Sequence, residues 1–130
     1  MRIEELSIGD WVRYDFPKIG KRNIQVNSID EEDNHIGAGG VGASAWSDVS
    51  EFEPIPLTPE ILEKNGLCVV EEDADFSEYE LFGSENFSIF HIKGTFHYRL
   101  ETPQASVVCW SVHQLQHALR LASVEKEIEL

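Results

Sequence analysis

Three prolines within six residues, Pro54, Pro56 and Pro59, constrain this chain more than any other feature. Proline lacks a backbone N–H and fixes φ, so neither a central strand nor a helix interior runs through such a segment. The segment falls near the middle of 130 residues, so each side must build its own elements. It also opens a helix. Thr58 stands where a hydroxyl caps a first turn, and Pro59 suits the first helical position. Ile61 and Leu62 are its apolar anchors, and Asn65-Gly66 ends it with glycine in the left-handed position. The segment reads as a joint between residues 1–55 and residues 56–130, with the two halves expected to form one compact unit.

The first half reads as short strands. Gly9-Asp10 signals a turn before Trp11-Val12-Arg13-Tyr14. Ile24 and Val26 alternate with polar neighbours, the period of two that marks a half-buried strand. Asp30 to Asn34 is a charged turn, His35-Ile36 opens a further strand, and Ala45-Trp46 with Val49 begins another. Short strands at this spacing predict a small SH3-like antiparallel β-barrel over residues 1–55.

The second half predicts strands at Leu67–Val70, Tyr79–Phe82, Phe87–Ile92, Phe96–Leu100 and Ser106–Trp110. Lys93-Gly94 makes a hairpin turn, and Thr102-Pro103-Gln104 a break. From about Ser111 to Ser123, Val112, Leu115, Ala118, Leu119 and Ala122 form one apolar stripe at helical spacing, with Ser111 as N-cap. Lys126 to Leu130 is expected to add a last strand. The fold class is therefore α+β: an N-terminal SH3-like small β-barrel, a short linking helix, and an antiparallel sheet packed by a C-terminal helix.

His113 and His117 stand four apart on that helix and so share a face, expected to be polar and away from the apolar stripe. Two imidazoles at this spacing can both ligate zinc, which needs a third and usually a fourth ligand. His91 or His97 would have to supply it. The metalloprotease pattern also requires a glutamate after the first histidine, and Gln114 stands there instead. The ordinary reading is two neutral histidines on a polar face.

Composition excludes several classes. Ten Lys and Arg are diluted by 24 Asp and Glu, giving a formal charge of −14. Phosphate backbones and anionic lipid surfaces both require concentrated positive charge, so neither direct nucleic-acid binding nor membrane binding is expected. No apolar run approaches the roughly 20 residues of a membrane span, and the first residues lack an apolar signal core. A cytoplasmic location follows as the default. Cys68 and Cys109 lie in separate apolar runs without CxxC spacing and read as buried free thiols.

Gly37-Ala38-Gly39-Gly40-Val41-Gly42 satisfies G-x-G-x-x-G in form. A dinucleotide site requires that motif between a strand and a helix. The residues that follow run into Trp46, Val49 and Pro54, so a flexible loop is expected, one that orders when a partner binds. Asp73, Asp75 and Glu78 do not make a calcium loop, whose sixth position is glycine where Glu78 stands here. No G-x-S-x-G occurs. Most of the aromatic residues are expected in the core. Trp11, Tyr14 and Trp46 of the barrel half are weighed between core and an exposed groove, by analogy with peptide-binding barrels.

Three segments carry a resemblance: Leu6-Ser7-Ile8-Gly9-Asp10-Trp11-Val12, then Pro54 to Gly66, then Val112 to Leu121 with Glu125-Lys126-Glu127-Ile128. Together they resemble a family of small proteins of Bacteroides-type gut bacteria, their phages and mobile elements. The resemblance implies a bacterial or phage protein of the cytosol, from an accessory gene. It transfers no activity to any residue.

The resulting expectation is a non-catalytic interaction module that binds a protein partner. No catalytic residues and no cofactor are assigned, and a homo-oligomer is left open. The binding residues are Trp11, Tyr14, Trp46, Gly39 and Gly40, with His113 and His117 as the metal candidates. Two alternatives stand beside it. One is an anti-defence inhibitor that mimics nucleic-acid charge or sequesters a nucleotide signal. The other is a metal-dependent enzyme built on the histidine pair.

Overall fold

A computed structural model describes residues 1–81 and 86–130. The last residue of the expected strand at Tyr79–Phe82 lies outside them. The chain divides into two compact units, Met1–Ile55 and Pro56–Leu130. Among the described residues each is built on a five-stranded antiparallel sheet, and two short α-helices complete an α+β architecture. Among the described residues no helix is long and apolar enough to cross a membrane.

The first unit contains β1 (Trp11–Phe16), β2 (Gly20–Asp30), β3 (His35–Gly40), β4 (Ala43–Asp48) and β5 (Phe52–Glu53). The sheet order is β4-β3-β2-β1-β5. A 3₁₀ turn at Val49–Glu51 separates the last two strands, its N-terminus capped where the Asp48 side chain accepts from the Ser50 N–H. Period-two alternation sends Val12, Ile24, Val26, Ile36 and Ala38 to one face, where they form a core with Ile3, Leu6, Val49 and Phe52. Each such side chain contributes about 1.5–3 kcal/mol when fully buried. Asp10 ties the entry turn down. Its carboxylate accepts from the Ser7 N–H at 2.8 Å, and its backbone carbonyl accepts from the Val26 N–H at 2.8 Å.

The glycine-rich stretch is not a loop. Gly37, Gly39 and Gly40 belong to β3, and the turn to β4 is confined to Val41-Gly42, with Gly42 at φ +73°. The reason is steric. A Cβ on Gly37 would stand 2.3 Å from Ser28 Oγ, 2.9 Å from Asn27 Oδ1 and 3.1 Å from Trp46 Cε3. Only glycine lets β3 pass beneath the bulge at Val26/Ser28 and the Trp46 ring.

The second unit contains α1 (Pro59–Lys64), β6 (Leu67–Glu72), β7 (Phe76–Leu81), β8 (Ser88–Ile92), β9 (Tyr98–Glu101), β10 (Ser106–Cys109) and α2 (Val112–Leu121). The strands form a meander in the order β10-β9-β8-β7-β6. Thr58 caps α1 by accepting from the Ile61 N–H at 3.2 Å, and Gly66 follows it at φ +84°. The register places Leu67, Tyr79, Ile89, Tyr98, Leu100 and Cys109 on one buried face. His91 shares that face, stacked on Tyr98 with centroids 4.1 Å apart, and its Nε2 lies 2.9 Å from the Thr95 carbonyl.

The C-terminus departs from expectation. Residues 124–130 form no strand. Side chains hold them in place of a ladder. Gln116 donates to the Lys126 carbonyl at 2.8 Å and accepts from the Ile128 N–H at 2.7 Å. Asn65 does the same with both backbone groups of Glu129, at 2.9 and 2.7 Å. α2 is consequently buried on more of its circumference than its apolar stripe, with His113 and Gln116 inside beside Val112, Leu115, Ala118 and Leu119.

Candidate functional site

The outward face of the first sheet collects the residues with recognition chemistry. The register aligns Trp11, Gln25, Gly39 and Ser44 in one row, and Ser28, Gly37 and Trp46 in the next. A third row holds Asp30, His35 and Asp48. Trp46 is 55% exposed although its ring rests over Gly37. The His35 ring lies beside it at 5.7 Å. An indole supported from below by backbone presents its other face to solvent.

This face ends in acid. Asp30 and Asp48 flank His35 from the neighbouring strands, and the β2–β3 turn adds Glu31, Glu32 and Asp33, all exposed. Asp48 is held below the usual carboxylate range, first by the Ser50 N–H it accepts, then by the Ser50 hydroxyl, with Asn34 and the nearby His35 adding to this. An exposed indole beside fixed carboxylates is suited to a lysine or arginine. The ring face attracts the cation, and the carboxylates accept its hydrogen bonds.

The five expected binding residues divide between the two faces. Trp11, Trp46 and Gly39 share the outward one. Tyr14 turns inward, packing on Phe16 at 4.7 Å and Phe52 at 4.9 Å, and so belongs to the core margin. Gly40 follows the inward parity of Ala38, where a Cβ would stand 3.3 Å from Ile24 Cγ2. Sequence reasoning missed Asp30, His35 and Asp48. The signal was available in part: Asp30 and His35 bracket a tight turn, and residues bracketing such a turn pair across the strands.

The histidine pair has a different environment from the polar face expected. His113 is 2% exposed, with Nδ1 3.2 Å from the Ser111 hydroxyl. That hydroxyl makes no capping bond to the helix, and Gln114 Oε1 reaches back to accept from the Trp110 N–H at 2.8 Å. The His113 and His117 rings are 6.0 Å apart in an edge-on arrangement. Among the described residues no group of three or more His, Cys, Asp or Glu is arranged to hold a metal. His91 is engaged by its hairpin, and His97 lies 6.5 Å from the Trp110 ring.

The cysteines also differ from the expected pair of buried thiols. Both are free, but Cys68 is exposed on β6 while Cys109 is buried. Burial alone pushes the Cys109 thiol up to about 12, which disfavours the reactive thiolate at neutral pH. Burial also raises Tyr98 and Tyr79, the latter with help from Glu63 and Glu72. No family model matches the chain, and no curated protein or solved structure matches it either.

Proposed function

We propose that this chain is a non-catalytic protein-binding module of the cytosol whose recognition face carries Trp46, Trp11, His35, Asp30 and Asp48. One observation carries the reading: a half-exposed indole lies on a glycine floor at the acidic end of a sheet. Such a face takes a basic side chain of a partner. The strand order β4-β3-β2-β1-β5 and the 3₁₀ turn before β5 support reading Met1–Ile55 as an SH3-like barrel. The charge of −14 supports basic protein partners over nucleic acid or anionic membranes.

The test is a fluorescence-anisotropy titration of the whole protein with labelled Lys- and Arg-containing peptides, compared with Trp46→Ala. The expected result is binding that weakens with added salt and falls roughly two- to thirtyfold in the variant, the range of one cation–π contact. Equal binding by Trp46→Ala sinks the assignment of this face.

A further inference from the structure

The longest stretch of the chain without Asp, Glu, Lys or Arg runs from Thr102 to Leu119, in a protein whose charged fraction is 26%. It contains β10, an end strand of its sheet. End strands offer unpaired main-chain groups to other chains, and proteins ordinarily blunt them with charges, proline or bulges. The opposite edge is blunted. β6 has a bulge between Val69 and Glu71, and two exposed glutamates. β10 has an unbroken register to β9 and no charge, and Val107, Val108 and Trp110 are 36%, 40% and 57% exposed.

The direction of its main-chain groups follows from Trp110. Its carbonyl accepts from the Leu57 N–H at 3.1 Å and its N–H donates to Gln114 at 2.8 Å, so neither turns toward β9. In an antiparallel ladder successive residues turn these groups to opposite sides. Val108 and Ser106 therefore direct theirs away from β9, while Val107 and Cys109 face Leu100 and Tyr98. Leu57 already takes the place of a further strand beside Trp110, with Pro56 bridged to Ser111. The chain then leaves this line at Thr58-Pro59 to enter α1. The line it leaves runs on beside Val108 and Ser106.

We infer that β10 accepts one added strand, antiparallel to it, from an extended basic segment of a partner protein. The inference rests on the protein-binding reading but uses a different element from the Trp46 face. The basic character follows from charge. Residues 56–130 carry 13 Asp and Glu against 5 Lys and Arg, so the field draws in a cationic segment. The edge itself is uncharged, so pairing buries no ion of this chain. A second copy would bring another charge of −14 to the same place.

The experiment is NMR of the full, isotopically labelled chain titrated with a peptide of alternating valine and lysine. Expected are shifts and slowed hydrogen exchange at the Ser106 and Val108 amides, with Val107 and Cys109 little changed. N-methylating the alternate backbone nitrogens of the peptide that turn toward β10 should weaken binding about tenfold or more, because charge remains and donors are lost, while methylating the other set should leave binding nearly unchanged. Val108→Pro, checked for folding by circular dichroism, should weaken it as much. Equal affinity of the N-methylated peptides, equal binding of a glutamate counterpart, or no binding at all overturns the proposal. If Trp46→Ala abolishes binding while the Ser106 and Val108 amides never move, the β10 site falls and the module reading stands. If sedimentation shows a dimer that protects those two amides, the occupant is a second copy and the partner proposal is wrong.

Discussion

Gly37 shows how a single position couples the fold to the recognition face. Its missing Cβ leaves room for Ser28, Asn27 and the Trp46 ring at once. A valine there must displace all three, and overpacking of this kind costs about 1–3 kcal/mol. Gly37→Val is expected to lower stability by that amount in urea titrations and to alter tryptophan emission. Adding Ser28→Gly removes the nearest clash at 2.3 Å and should restore part of the loss. The cysteines give a second prediction at this scale. Native protein near pH 8 should react with Ellman's reagent rapidly at one thiol, Cys68, and at Cys109 only after denaturant is added. Two rapid thiols in the native state would contradict the burial of Cys109.

At the scale of elements, the C-terminal segment depends on two amides. Gln116 and Asn65 each present an oxygen and an NH₂ group to a backbone that has no strand to pair with. Gln116→Ala removes two hydrogen bonds at a buried site, a loss of about 2 kcal/mol. Ile128→Ala, at a side chain 4% exposed, should cost about 2–5 kcal/mol. Faster amide exchange over residues 124–130 with α2 still protected would confirm that the tail is held this way. The same elements mark what the sequence made legible. Thr58, Pro59 and Gly66 bounded α1 because capping is local chemistry, and the strands of the first half followed from alternation. The tail did not, because Lys126 to Leu130 alternates like a strand and only tertiary context supplies Gln116 and Asn65 as partners. Periodicity sends His113 to solvent for the same reason, since it ranks the faces of a helix without showing how many are covered. The glycines read as a loop because a strand needing closeness from its neighbours has the composition of a loop. On the candidate site, Trp46 was readable as an exposed aromatic candidate, whereas its carboxylate neighbours required the register.

For the molecule as a whole, alkali should be the more damaging limb. Burial raises the folded pKa values of Tyr98, Tyr79 and Cys109 above the ordinary 10.0 of a phenol and 9.0 of a thiol. The protonated forms are favoured in the fold, so this stabilisation is complete below the unfolded pKa and declines as pH rises toward the folded one. Urea midpoints should therefore fall from about pH 9 upward, and Tyr98→Phe should flatten the decline. An unchanged slope in that variant would remove the phenol from the account. Strand order has a consequence in time as well. In the second unit each strand pairs with its sequence neighbour, so the sheet grows by successive hairpins. In the first, β5 returns to β1 through only two residue pairs, Arg13 with Glu53 and Tyr14 with Phe52. Closing that long loop is slow to be rewarded. The β1–β5 seam should thus be the last part of its sheet to gain amide protection in pulsed-exchange refolding, and the first to let solvent exchange in.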